Sequence, residues 1–100
     1  MDSSLPDTSL AAIGRRLGQV REARGWTKST IARLLEMSPQ RWGQYEGGAR
    51  LIPPDAIARL WRLTGATSDF ILFGRFDGLP YELAEKILPR DSGTTGEKRA

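Results

Sequence analysis

A chain of 100 residues, 39% hydrophobic and 27% charged, has the size and make-up of one small globular domain. It has no cysteine and no histidine, which excludes disulfide frameworks, thiol nucleophiles, imidazole bases and the common zinc-ligand sets. The net charge of +3 is uneven: Arg15 to Arg50 holds eight positive residues against three negative, which suits a polyanion partner, although a solvated helical face is the ordinary explanation of such a run.

The opening "MDSSLPDTSL" carries neither the basic nor the apolar region of a secretory signal, and no later run approaches the roughly 18 apolar residues of a membrane span. A cytoplasmic protein without a membrane partner is expected, with residues 1–8 as a flexible arm. From there Leu10, Ile13, Leu17 and Val20 recur at helical spacing, giving a first helix that ends before Gly25. Thr27 offers an N-cap oxygen to a short second helix ending near Glu36, with Ile31, Ala32, Leu34 and Leu35 as its apolar face.

Ser38-Pro39 is a strong start signal for a third helix, since proline at the first helical position gives up an N–H that has no partner anyway. That helix runs to about Glu46 and stops at Gly47-Gly48, where glycine can take a left-handed cap. Pro53-Pro54-Asp55 opens a fourth helix carrying Ile57, Leu60, Trp61 and Leu63, closed by Gly65. Ser68 or Asp69 caps a fifth through Phe70, Ile71, Leu72 and Phe73, stopped at Gly74. Leu79, Leu83, Ile87 and Leu88 then form a stripe between Pro80 and Pro89 that must rest either on the domain's own core or on a second subunit. Residues 90–100, "RDSGTTGEKRA", read as a disordered tail.

These pieces, in register, resemble a known family. "IGRRL", "REARGWT", "TIARLL", "MSPQRW", "YEGG" and "TGATSDFILFG" are similar to the helix-turn-helix domain of the phage repressor and Cro class, the lambda-repressor-like domains of XRE-type regulators. The resemblance covers Leu10 to Gly74. It implies an all-α bundle of five short helices, with helices 2 and 3 as the helix-turn-helix, in a DNA-binding domain over residues 9–74. An additional C-terminal helix over 75–89 would serve the core or dimerisation.

The function implied is a sequence-specific, double-stranded DNA-binding transcriptional regulator, a repressor or autorepressor of phage or mobile-element type. It would act as a homodimer on a near-palindromic operator, with no enzyme activity, cofactor, metal or small-molecule ligand. The alternative is an antitoxin-like protein-binding module that also represses its own promoter. Three positions depart from the family pattern: Lys28 stands where glutamine is usual, Glu36 where the turn has glycine, and Gly47 where asparagine is common. If the turn requires a positive φ, Glu36 bears a steric cost that glycine would not.

Helix 3 is the candidate reader. Its helical wheel puts Trp42 and Tyr45 on one side, expected to pack inward, and Gln40 and Gln44 on the other, with Arg41 and Gly43 on the flanks. The glutamines suit adenine, and Arg41 suits guanine or a phosphate. Gly43 leaves the helix bare either for close approach to DNA or to relieve crowding beside the aromatics.

Phosphate contacts are expected from Thr27, Lys28, Ser29, Ser38, the Gly47 amide and Arg50. The resemblance further implies a partly buried ion pair between Arg21 and Glu46. Dimer contacts are placed on Phe70, Ile71, Phe73, Phe76, Leu79, Leu83 and Ile87, unless the first of these close the core.

Overall fold

The computed structural model describes residues 5–88; residues 1–4 of the expected arm, Pro89 and the expected tail lie outside the described residues. Its elements are α1 (Leu10–Ala23), α2 (Lys28–Leu34), α3 (Pro39–Glu46), α4 (Pro54–Thr64), α5 (Ser68–Phe73) and α6 (Tyr81–Ile87), with no strand among the described residues. None of these helices is long and apolar enough to cross a membrane. The central element is α1, which packs against α3, α5 and α6, while α2 rests on α3 and α4 on α5.

Local chemistry sets the helix starts. Ser9, Thr27, Ser38 and Thr67 each turn a hydroxyl onto an exposed backbone N–H three residues on, those of Ala12, Thr30, Arg41 and Phe70, at 3.1 Å in every case. Such a cap contributes about 1 kcal/mol. The α5 cap is thus Thr67 rather than Ser68 or Asp69, because the helix begins one residue earlier than its apolar run suggests. At the end of α3, Gly48 takes the left-handed conformation (φ 82°), while Gly47 stays right-handed (φ −81°).

Leu17, Val20, Ile31, Leu35, Trp42, Leu60, Phe70, Ile71 and Leu83 form the fully buried centre. Phe76 closes it by packing edge-on against Phe70, ring centroids 5.2 Å apart. Five residues of the expected apolar stripes are exposed: Leu10 at the start of α1, Leu34 at the end of α2, Trp61 and Leu63 on α4, and Leu88 just after α6. The buried stripe of α4 is instead Ala56, Ile57, Leu60 and Thr64, which lie between the two outlying positions on the wheel. Thr64 is buried without penalty because its hydroxyl donates to the Leu60 carbonyl at 2.8 Å and accepts from the Ala66 N–H at 3.0 Å.

The stripe of α6 rests on the chain's own core through Leu83 and Ile87. Phe70, Ile71, Leu83 and Ile87 therefore cannot form a dimer surface, since their apolar area is already removed from water within one protomer. Of the expected dimer residues, Phe73 is exposed, and Phe76 and Leu79 are half-buried.

Two arginines tie the bundle together. Arg16 donates from Nη1 to the carbonyls of Ile71 and Leu72 at 3.1 Å each, satisfying the C-terminal end of α5, and from Nη2 to the Asp7 carbonyl at 2.6 Å. Arg24 donates to the Thr64 carbonyl at 2.7 Å and pairs with Glu82 of α6 at 2.9 Å.

Candidate nucleic-acid interface

The turn between α2 and α3 closes through the Glu36 N–H on the Arg33 carbonyl (3.0 Å) and the Met37 N–H on the Ala32 carbonyl (2.9 Å). Glu36 carries a positive φ of 60°, unique for a non-glycine among the described residues, so the turn does need the conformation that glycine adopts without strain.

The inner face of α3 is fixed at three points. Trp42 and Tyr45 are buried. The Glu46 carboxylate receives Arg21 Nε at 2.9 Å on Oε1, Arg21 Nη2 at 2.9 Å on Oε2, and the Trp42 indole N–H at 2.6 Å on Oε1. Arg21 is itself steadied by donating from Nη1 to the Trp26 carbonyl at 2.8 Å. Burial pushes the Glu46 carboxyl upward, but the hydrogen bonds from Arg21 and Trp42, with the Arg21 charge, together hold it below the usual carboxylate range. The same contact with Glu46 raises the Arg21 guanidinium above its ordinary value against the opposing effect of burial.

Two residues that support this anchor escaped sequence reasoning. A Cβ at Gly14 would fall on the Glu46 carbonyl, and one at Gly18 would lie 2.8 Å from Glu46 Oε2. The pair sits four residues apart on one side of α1 and lets the end of α3 approach that backbone closely. The signal was present as "GRRLG", two glycines one helical turn apart in an otherwise well-formed helix.

Opposite the anchor, Gln40 and Arg41 are exposed and Gln44 is half-buried. A Cβ built on Gly43 meets nothing within 4 Å, which overturns crowding beside the aromatics as the reason for that glycine. The polar face of α3 is thus bare at Gly43 toward solvent.

The expected phosphate contacts divide. The Thr27 hydroxyl accepts from the Thr30 N–H and donates to the Thr30 hydroxyl at 3.0 Å, so its proton is committed locally. The Gly47 N–H is bonded to the Gly43 carbonyl at 2.8 Å, completing the helix instead of pointing outward. In this conformation neither the Thr27 hydroxyl nor the Gly47 N–H is free to donate outward. Lys28, Ser29, Ser38 and Arg50 are exposed. Ser38 accepts the Arg41 N–H, which leaves its own proton for an outside acceptor. Of the eight cations in the basic half, Arg16, Arg21 and Arg24 serve the fold, and Arg15, Lys28, Arg33, Arg41 and Arg50 remain exposed.

With this geometry in place, residues 12–69 match the family described as "Helix-turn-helix domain". The HTH-type transcriptional regulator RamB of Mycobacterium tuberculosis is 30% identical over 79 residues, which is 79% of this chain and 17% of RamB. The chain therefore spans about a sixth of that relative's length. Among solved structures, the restriction-modification controller protein C.AhdI of Aeromonas hydrophila superposes with a TM-score of 0.56 at 28% identity, covering 64% of this chain and 96% of that one. The clp gene regulator ClgR of C. glutamicum gives a TM-score of 0.59 at 20% identity, with 84% and 97% covered, a likeness of fold.

Proposed function

The chain belongs to the helix-turn-helix domain family, and from that premise we propose that it regulates transcription by binding double-stranded DNA with α3 in the major groove. The groove, about 12 Å wide, admits one α-helix and displays a distinct donor and acceptor pattern for each base pair. Gln40 and Gln44 read adenine edges, and Arg41 reads guanine or grips the adjoining phosphate. Gly43 lets the backbone of α3 sit deep in the groove. Lys28, Ser29, Ser38 and Arg50 hold the sugar-phosphate backbone and so fix register rather than sequence. The protein acts in the cytoplasm as a homodimer on a near-palindromic operator, half-sites about 34 Å apart, and represses by occupying a promoter of phage or mobile-element type.

The observation that carries this reading is the division of α3: its aromatic face and terminal carboxylate are locked to α1, while its glutamine face stands free around an uncrowded glycine. Two of the similar proteins, the transcriptional regulator RamB and the restriction-modification controller C.AhdI, point the same way.

The test is footprinting across a salt series on a duplex selected from random sequence by the protein, with sedimentation reporting stoichiometry. Protection of two symmetric half-sites by two chains, with affinity falling by about 0.9 log unit per log unit of salt for each phosphate engaged, is the expected result. One asymmetric patch held by a monomer, or a flat salt response, would contradict it.

A further inference from the structure

Beside the N-terminus of α3 lies a polar hollow of about 300 Å³, lined among others by Glu36 of the turn, the capping Ser38, Arg41 of α3, and Asp55 and Arg59 of α4. Ser38 and Arg41 belong to the surface assigned to DNA, so the hollow continues that surface onto α4. Asp55 and Arg59, one helical turn apart, approach to 3.4 Å through a single oxygen and a single nitrogen, with 70% and 46% of their side-chain surfaces exposed. So exposed a pair is held weakly, because water competes for both charges. The other charges facing Arg59 are Glu36 and Arg41 in this hollow, and Arg62 in an adjoining one that also includes Glu36. Lys28 lies near enough to Glu46 for its charge to help hold that carboxyl low. Glu46 and Arg41 stand about 140° apart on the α3 wheel, at opposite edges of its buried face. A helix in the major groove has a sugar-phosphate wall on either side. Lys28 therefore serves one wall, and the hollow faces the other.

We propose that Arg59 is a phosphate grip for this second wall and that Asp55 restrains it: the carboxylate holds the guanidinium in the free protein, and a backbone phosphate displaces it on DNA. This rests on α3 lying in the groove, as assigned under the proposed function, and adds a restrained contact from outside the helix-turn-helix. The exchange has a chemical direction. A guanidinium fork matches two oxygens of a phosphate, whereas its present contact with Asp55 is longer than a charge-assisted hydrogen bond. Once displaced, Asp55 stands beside the phosphate wall and is repelled by it. Neither the grip nor the repulsion depends on base sequence. Asp55 therefore lowers affinity for every duplex, and discrimination is left to the side chains that meet base edges.

The test is fluorescence anisotropy of the full chain on a selected operator duplex and on random duplex, across a salt series. Arg59→Gln should weaken binding to both alike and reduce the salt slope by about one, while Arg59→Lys, which keeps the point charge, should keep the slope. Asp55→Asn should strengthen binding to both by about fivefold at low salt, and most of that gain should vanish when Arg59→Gln is added. Glu85→Gln, the same charge change at an exposed position of α6, should not reproduce the gain. Unchanged affinity and slope in Arg59→Gln would overturn the proposal, and this variant decides even if Asp55→Asn disturbs the first turn of α4. A gain from Asp55→Asn that persists in full without Arg59, or that Glu85→Gln matches, would also overturn it. If Arg59→Gln behaves as stated while Gln44→Ala leaves the gap between operator and random DNA unchanged, the grip stands and base reading by α3 falls. The reverse outcome keeps the reading of α3 and removes Arg59 from the interface.

Discussion

Arg21 of α1 holds Glu46, the last residue of α3, through two parallel hydrogen bonds of 2.9 Å, and this fork fixes the angle at which α3 leaves the bundle. Both side chains are nearly buried, so removing one partner strands the other charge. Arg21→Ala should cost about 2 kcal/mol in urea unfolding. The pH dependence has a definite sign. Because the folded carboxyl lies below its ordinary value, its contribution is complete above the unfolded pKa of about 4.3 and is lost as pH falls through the folded value. The stability gap between wild type and Glu46→Gln should therefore be level from neutrality to about pH 5 and close below it. A gap that stayed constant through that acid range would show that the pair does not titrate as described.

Gly14 is where α3 rests on α1. A methyl group there must displace the Glu46 carbonyl, which is backbone and yields only if the whole end of α3 moves. Gly14→Ala should lose about 1–3 kcal/mol despite alanine's better helix propensity, and should weaken DNA binding with it. Unchanged melting of this variant would mean that the helices are not packed this closely.

Glu36 occupies a left-handed position at φ 60°, a conformation that disfavours any residue with a Cβ by about 1–2 kcal/mol. Part of that strain is offset by glycine's larger unfolded-state entropy. Glu36→Gly should raise stability by about 0.5–1 kcal/mol, seen as an increase in Tm of a few degrees. A lower Tm would show that the glutamate side chain supplies a contact worth more than the strain.

Much of this was legible in the sequence, and the failures have physical causes. Caps and stop signals are local chemistry, so Ser38-Pro39 and the Gly47-Gly48 stop placed α3 correctly, and a strained Glu36 followed from the glycine it replaces in the resembled turn. Partners distant along the chain were not legible. Nothing in "GRRL" says that Arg16 meets carbonyls at Ile71 and Leu72, or that Arg15 beside it stays in water. The exposure of Trp61 was missed because a stripe at helical spacing does not reveal how wide the buried face is. Nor does the glycine pair reveal that the Gly47 amide is bonded to the Gly43 carbonyl in the last turn of α3.

Gly43 separates stability from recognition. Nothing in the chain lies within 4 Å of a Cβ placed there, so Gly43→Ala should gain up to about 1 kcal/mol from helix propensity alone. Its DNA affinity should nevertheless fall, because the added methyl holds α3 away from the groove floor. A variant that is more stable and binds DNA as before would remove close approach as the reason for this glycine.

Binding of a selected operator duplex and of random duplex, compared for Gln44→Ala and Lys28→Ala at several salt concentrations, bears most directly on the role of α3. If α3 reads bases and α2 grips phosphate, Gln44→Ala should narrow the gap between operator and random DNA by about 1–3 kcal/mol with the salt slope unchanged. Lys28→Ala should then weaken both duplexes alike and reduce the slope by about one. Equal losses on both duplexes from Gln44→Ala, or an unchanged gap, would show that the polar face of α3 is not the reading surface.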